Sequence, residues 1–131
     1  NELLQYKSPP ILIGHSLGGS VLLKYISEEH QTISAAGLFL VATPFWGSED
    51  WNVEEFILRE NFASFLPGTL NVFLYQSQDD DVVPIEHLSN YSNAIPRAIV
   101  KALDSGGHAF TNGLPCLVAD IQQLSETLKL K

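Results

Sequence analysis

Short apolar runs alternate along this chain with longer segments whose apolar residues recur at helical spacing. Pro10-Ile11-Leu12-Ile13, closed by Gly14, reads as a buried strand. From about Leu17 to Glu29, Val21, Leu22, Tyr25 and Ile26 follow helical spacing. Ala35 to Thr43 is apolar on both faces, as a central parallel strand is. Pro44 to Pro67 is irregular; acidic residues interrupt Phe45, Trp46, Trp51, Phe56, Phe62 and Phe65, and one or two short helices are expected. Thr69 to Gln76 predicts a third strand, ending in the turn Asp79-Asp80-Asp81. Pro84 suits the first turn of a helix reaching about Asn93. Arg97 to Leu103 predicts a fourth strand. After Gly106-Gly107, a last helix carries Leu114, Leu117, Val118, Ile121, Leu124 and Leu128 on one stripe.

This order, β-α-β-α-β-α-β-α, predicts an α/β fold: a parallel sheet with helices on both faces. Residues 1–131 form one domain, with 44–67 as a candidate small cap or irregular helical insertion. Sites in such sheets lie beyond the carboxyl ends of the strands. Ser16 follows the first strand, Asp79 to Asp81 the third and His108 the fourth.

The composition is ordinary for a globular domain, with 45% hydrophobic and 17% charged residues. Fifteen acidic against seven basic residues give a formal charge of −8. That surface repels phosphate backbones and anionic lipid, which argues against nucleic-acid binding. The single cysteine, Cys116, makes no internal disulfide, and no Cys/His spacing suggests a metal site. A reducing, cytoplasmic location fits that usage. No apolar run is long enough to span a membrane, and the N-terminus lacks a signal-peptide shape.

The candidate chemistry centres on Gly14-His15-Ser16-Leu17-Gly18. A serine hydroxyl becomes a useful nucleophile when a base takes its proton and the oxygen stands clear of the backbone. A sharp strand-to-helix turn exposes it, and Gly14 and Gly18 are expected to relieve the crowding, with Gly19 allowing close helix-sheet packing. The helix N-terminus and the Leu17 N–H would favour a developing oxyanion. The plainer reading of such a turn is a glycine-rich phosphate-binding loop.

Of four histidines, His15 reads as structural or pocket-lining, His30 as exposed at a helix end, and His87 as surface or helix-packing. His108 follows two glycines that let a loop fold tightly and turn its imidazole inward, so it is the candidate base. An acid must hold that imidazole in the right tautomer. Asp79, Asp80 and Asp81 are the candidates, and turn-forming or helix-capping roles account for the others. The pattern favours Asp80, four residues before Pro84.

With Gly14-His15-Ser16-Leu17-Gly18-Gly19, Asp80-Asp81-Val82-Val83-Pro84 and Gly106-Gly107-His108 in this order, the sequence resembles the α/β-hydrolase superfamily. On a softer match, through Ala36 to Pro44, it is similar to the small serine hydrolases of the retinoblastoma-binding-protein type, which look like compact carboxylesterases. The resemblance implies a serine hydrolase cleaving a carboxylic ester or related acyl substrate, without metal or organic cofactor. It assigns Ser16, Asp80 and His108 as catalytic and the Leu17 N–H to the oxyanion. The aromatic stretch from Phe45 to Phe65 reads either as a cap over an apolar acyl pocket, with Phe45 and Trp46 as candidate pocket residues, or as ordinary core and helix packing. Family members carry several strands before the nucleophile turn, one of whose loops donates a second oxyanion N–H. The chain is therefore expected to be a C-terminal half, its sheet completed by an N-terminal half or another chain. The competing reading is a non-catalytic binding module on the same scaffold.

Overall fold

The structure is a computed structural model describing residues 9–29, 34–47 and 50–129. Its elements in chain order are β1 (Ile11–His15), α1 (Leu17–Glu28), β2 (Gly37–Val41), two short 3-10 turns (Glu54–Phe56 and Phe62–Phe65), β3 (Asn71–Ser77), α2 (Glu86–Ala94), β4 (Ile99–Leu103) and α3 (Pro115–Lys129). The four strands form one sheet in the order β1-β2-β3-β4, and each neighbouring pair is parallel. Register sets Ile11 beside Gly37, Gly37 beside Asn71, and Phe73 beside Ile99. The expected elements are present, with ends within two residues of those expected. His30, expected at an exposed helix end, lies outside the described residues.

β2 throughout and β3 from Val72 to Tyr75 are apolar or aromatic, because both their faces are covered. Leu38, Leu40, Val72 and Leu74 point to a layer holding Leu23 and Ile26 of α1 and Leu88 and Tyr91 of α2. Phe39, Val41, Phe73 and Tyr75 point the other way, onto α3 through Leu117, Ile121, Leu124 and Leu128. The period-2 alternation of a strand sends successive side chains to opposite layers, so each layer needs its own apolar residue. The Phe39 and Phe73 rings stack at 4.4 Å across that second layer. α3 is further tied by Asp120, which accepts the Tyr75 hydroxyl at 2.6 Å and the Lys101 ammonium at 2.8 Å.

Val118 departs from the expected stripe of α3 and is 55% exposed. The steps Leu117, Ile121, Leu124 and Leu128 follow the 3.6-residue repeat, and Val118 stands one residue, about 100°, off that line.

The irregular stretch after β2 packs on the α1 and α2 side. Phe62 and Leu66 are buried in that core, and Phe45 packs against it, edge-on to Tyr91 at 4.9 Å. α2 holds the start of this stretch by two bonds to its backbone. The Tyr91 hydroxyl donates to the Pro44 carbonyl at 2.6 Å, and the Phe45 N–H donates to His87 Nδ1 at 2.8 Å.

His87 is therefore a buried packing residue and not a surface one, at 4% exposure. Burial pulls its pKa below the ordinary value of 6.5, with the nearby carboxylates of Glu86 and Asp80 opposing. A neutral Nδ1 accepts the Phe45 N–H and a protonated one cannot. The stabilisation is complete above the unfolded value of 6.5 and is lost as pH falls through the lower folded value. The urea midpoint is expected to fall between about pH 7 and about pH 5 more steeply than in His87→Asn, whose amide oxygen keeps an acceptor without titrating. Parallel curves for the two proteins count against this assignment.

Candidate active site

β1, β3 and β4 all deliver their carboxyl ends to one edge of the sheet, and the polar residues that follow them meet there. At the end of β1 the backbone turns sharply. Ser16 sits at φ 55 and ψ −123, a conformation that L-residues rarely adopt. The surroundings hold it: its N–H continues the ladder to the Val41 carbonyl at 2.8 Å, and its carbonyl accepts the Gly19 N–H at 3.0 Å. α1 begins at Leu17. The Leu17 and Gly18 amides, which precede the first helical bond, have no intrahelical acceptor.

Two glycines make the turn sterically feasible, and they are Gly14 and Gly19. A Cβ on Gly14 would lie 2.5 Å from the Gly19 Cα, and one on Gly19 would strike the Thr43 side chain. Strand and helix meet here backbone to backbone. Gly18 is different from expectation: a Cβ there meets nothing within 4 Å, because the residue faces outward from the helix start. Gly14→Ala is thus expected to lower unfolding stability by roughly 2–3 kcal/mol through overpacking. Gly18→Ala should stay within about 1 kcal/mol of the parent, on the stabilising side. Urea unfolding of the pair checks this, and equal losses would refute the division of labour.

The turn after β3 presents three carboxylates to different surroundings. The Asp80 side chain is fully enclosed. Its Oδ1 accepts the Val82 and Val83 N–H groups at 2.9 and 2.8 Å. Its Oδ2 faces His108 Nδ1 at 3.0 Å and the Gln76 amide at 3.4 Å. Burial pushes the Asp80 pKa up, but the bonds from Val83, His108 and Val82 outweigh it and leave the pKa below 3.8. Asp79 turns elsewhere, to the Ser77 hydroxyl and to the Gly107 N–H at 2.8 Å. Those bonds, Ser77 first, hold its pKa low as well. Asp81 is exposed.

His108 stands on a loop bent by Gly106 at φ 137 and Gly107 at φ 68. A side chain on Gly106 would collide with the Phe110 ring at 2.5 Å, so that ring can bury itself only beneath a glycine. The imidazole is 16% exposed and bridges two elements. Nδ1 meets Asp80, and Nε2 lies 2.9 Å from Ser16 Oγ. An ionised Asp80 accepts only, so Nδ1 carries the proton and Nε2 is free to accept from the Ser16 hydroxyl. Ser16, His108 and Asp80 form a hydrogen-bonded chain able to take a proton from an alcohol and return it to a leaving group.

Of the residues around the site, Gln76 had no role assigned from the sequence, whereas His15 was read as structural or pocket-lining and Phe45 and Trp46 as a candidate substrate pocket. His15, in the Ser16 turn, donates from Nε2 to the His108 carbonyl at 2.7 Å. Gln76, 1% exposed, donates to the Val83 carbonyl at 2.7 Å and so holds the Asp80 turn shut. Its signal was a lone amide closing the apolar run Val72 to Tyr75. Trp46 donates from its indole N–H to Ser20 of α1 at 2.8 Å and packs against Trp51 and Phe56. Phe45 turns into the core beside Tyr91 and Phe62. Among the described residues, no three His, Cys, Asp or Glu side chains gather as metal ligands do. None of the helices described is long and apolar enough to cross a membrane.

Residues 1–114 match the sequence profile of a family described as serine hydrolase. No curated protein matches the sequence. Solved structures do match in fold. Est1E from Butyrivibrio proteoclasticus superposes with a TM-score of 0.72 at 15% identity, over 99% of this chain and 65% of that one. A hydrolase described as YdeN-like, from Pectobacterium atrosepticum, gives 0.69 at 23% identity, over 97% and 65%. MGS-M1, an α/β hydrolase from a Medee basin deep-sea metagenome, gives 0.65 at 17% identity, over 89% and 53%. The chain thus has the α/β-hydrolase fold and spans from 53% to 65% of the length of these proteins.

Proposed function

The chain belongs to the serine hydrolase family, and on that premise we propose that it cleaves carboxylic esters or related acyl substrates through an acyl-enzyme on Ser16. One observation carries the reading: the Ser16 Oγ, His108 Nε2 contact at 2.9 Å continues through Nδ1 to Asp80 at 3.0 Å. His108 takes the Ser16 proton as Oγ attacks the acyl carbonyl. Asp80 keeps the imidazole in the required tautomer and stabilises the imidazolium. The Leu17 N–H, at the positive end of α1, receives the developing oxyanion. His108 then protonates the leaving alcohol, and water attacking the acyl-enzyme by the same relay restores Ser16. A second oxyanion donor is expected from a segment packed along the outer side of β1. The described sheet ends there, and Ile13, Leu17 and Val21 stand about half exposed.

The aromatic group Trp46, Trp51 and Phe56 over α1 supports residues 44–67 as a cap beside the acyl site. Kinship with the compact retinoblastoma-binding-protein type within the family rests on the segment Ala36 to Pro44.

Labelling by a fluorophosphonate, which phosphonylates an activated serine and is not turned over, tests the reading. The protein should label at Ser16. A well-folded protein that fails to label would favour a non-catalytic binding module on this scaffold.

A further inference from the structure

We propose that His15 and Asp79 are positioning residues that clamp the His108 loop from opposite sides, an inference resting on the Ser16, His108, Asp80 assignment above. Each is the residue immediately before one of the groups that His108 must reach. His15 precedes Ser16, and its Nε2–H donates to the His108 carbonyl at 2.7 Å. Asp79 precedes Asp80, and its Oδ1 accepts the Gly107 N–H at 2.8 Å.

The loop needs such a clamp. Gly106, Gly107 and Phe110 all have positive φ, so no helix or strand ladder holds residues 106–110. Phe110 anchors the far end by burying its ring beneath Gly106. Nothing in that anchor sets the distance from the imidazole to Ser16. The two ring bonds of His108 fix the imidazole's rotation, and they are the contacts that change during proton transfer. The Gly106–Gly107 peptide, through its N–H, and the His108–Ala109 peptide, through its carbonyl, are instead held by bonds that the reaction leaves alone. One bond ties the loop to the turn after β1 and the other to the turn after β3. The base is thereby registered to nucleophile and acid at once.

Both clamps suit the task. The Asp79 carboxylate is steadied by the Ser77 hydroxyl and by the N–H of its own residue, which donates to Ser77 Oγ at 3.2 Å. Its bond to Gly107 is charge-assisted and therefore short and directional. His15 adds bulk as well as a donor, since its ring lies 5.0 Å from that of His108 at an interplanar angle of 44°. Both side chains are exposed, so their removal disturbs no core.

The test is steady-state hydrolysis of p-nitrophenyl acetate by the protein and five variants. His15→Phe keeps a ring but loses the donor, and Asp79→Ala loses the acceptor. Each should lower kcat on the order of 10-fold, and the double variant on the order of 10²-fold, because misplacing the base by about 1 Å has that scale of effect. KM and the thermal midpoint should stay at the parent values. His15→Gln, which retains an N–H donor, and Asp79→Asn, which retains an oxygen acceptor, should recover most of the loss. Parent kcat in the double variant overturns the proposal, and so does a Gln or Asn variant as impaired as its Phe or Ala counterpart. Ser16→Ala and His108→Ala, assayed alongside, separate the two readings. If either stays active, the underlying catalytic assignment fails. If both are silent while the clamp variants work normally, the clamp alone fails.

Discussion

Ser16→Ala is expected to cut ester hydrolysis by on the order of 10⁴-fold or more and to abolish fluorophosphonate labelling, while the protein still folds. The hydroxyl is the only group removed, and its recorded partner is His108 Nε2 at 2.9 Å. The bonds that hold the turn belong to the backbone and survive the substitution: Ser16 N–H to Val41, and Gly19 N–H to the Ser16 carbonyl. Alanine pays much the same penalty as serine at φ 55, so unfolding stability should barely move. The expected rate loss is large because in the proposed mechanism Ser16, His108 and Asp80 act as a unit. Without the oxygen, the other two have nothing to activate, and what remains is binding and oxyanion stabilisation. Labelling that persists in Ser16→Ala would sink the assignment.

Asp80→Asn is the second large effect, on the order of 10⁴-fold in kcat with little change in KM. Asparagine can keep the Val82 and Val83 N–H bonds through its oxygen, so the turn survives. Its amide nitrogen would then face His108 Nδ1 where a carboxylate oxygen now sits at 3.0 Å. A donor there reverses the imidazole. Nδ1 becomes the acceptor, Nε2 carries the proton, and the Ser16 hydroxyl loses its base. Asp81→Asn, at an exposed position, should leave the rate near the parent value. The same carboxylate contributes to acid stability. Its folded pKa lies below 3.8, so its stabilisation is complete above that ordinary value and is lost as pH falls through the lower folded one. The Asn variant should lack that loss. Equal rate losses at Asp80 and Asp81 would argue that the turn matters only as a turn.

Much of the scaffold could be read from local pattern. Residues 11–13 and 37–41 form continuous apolar runs because parallel strands covered on both faces need apolar side chains at successive positions. The stretches 17–28 and 115–129 repeat near 3.6 because a helix buries one stripe. Gly14 and Gly106-Gly107 were visible as breaks in those patterns. Three surroundings were not visible. Val118 looked like part of the α3 stripe because it is apolar, but its angle around the helix leaves it in water. His87 read as either surface or helix-packing, because its partner, the Phe45 N–H, is 42 residues away in sequence. Gly18 was paired with Gly14 as relieving the turn until Gly14 was seen against Gly19, with Gly18 facing open space.

By itself, the sequence determined the order of strands and helices and the turn at which Ser16 stands. It also set the three loops from which polar groups could converge. These follow from periodicity, glycine placement and strand-to-helix boundaries, all of which act over a few residues. The pattern before Pro84 favoured Asp80, but only the tertiary structure brings it to His108 and directs Asp79 to the Gly107 N–H. Tertiary structure decided too that His15 reaches the His108 backbone across 93 positions of sequence. Three adjacent aspartates have nearly the same local preferences. They differ only in direction around one turn, and parallel pairing of β3 with β4 sets what lies in each direction. The site is thus local in its parts and long-range in its assembly, because a sheet brings distant strand ends to one edge.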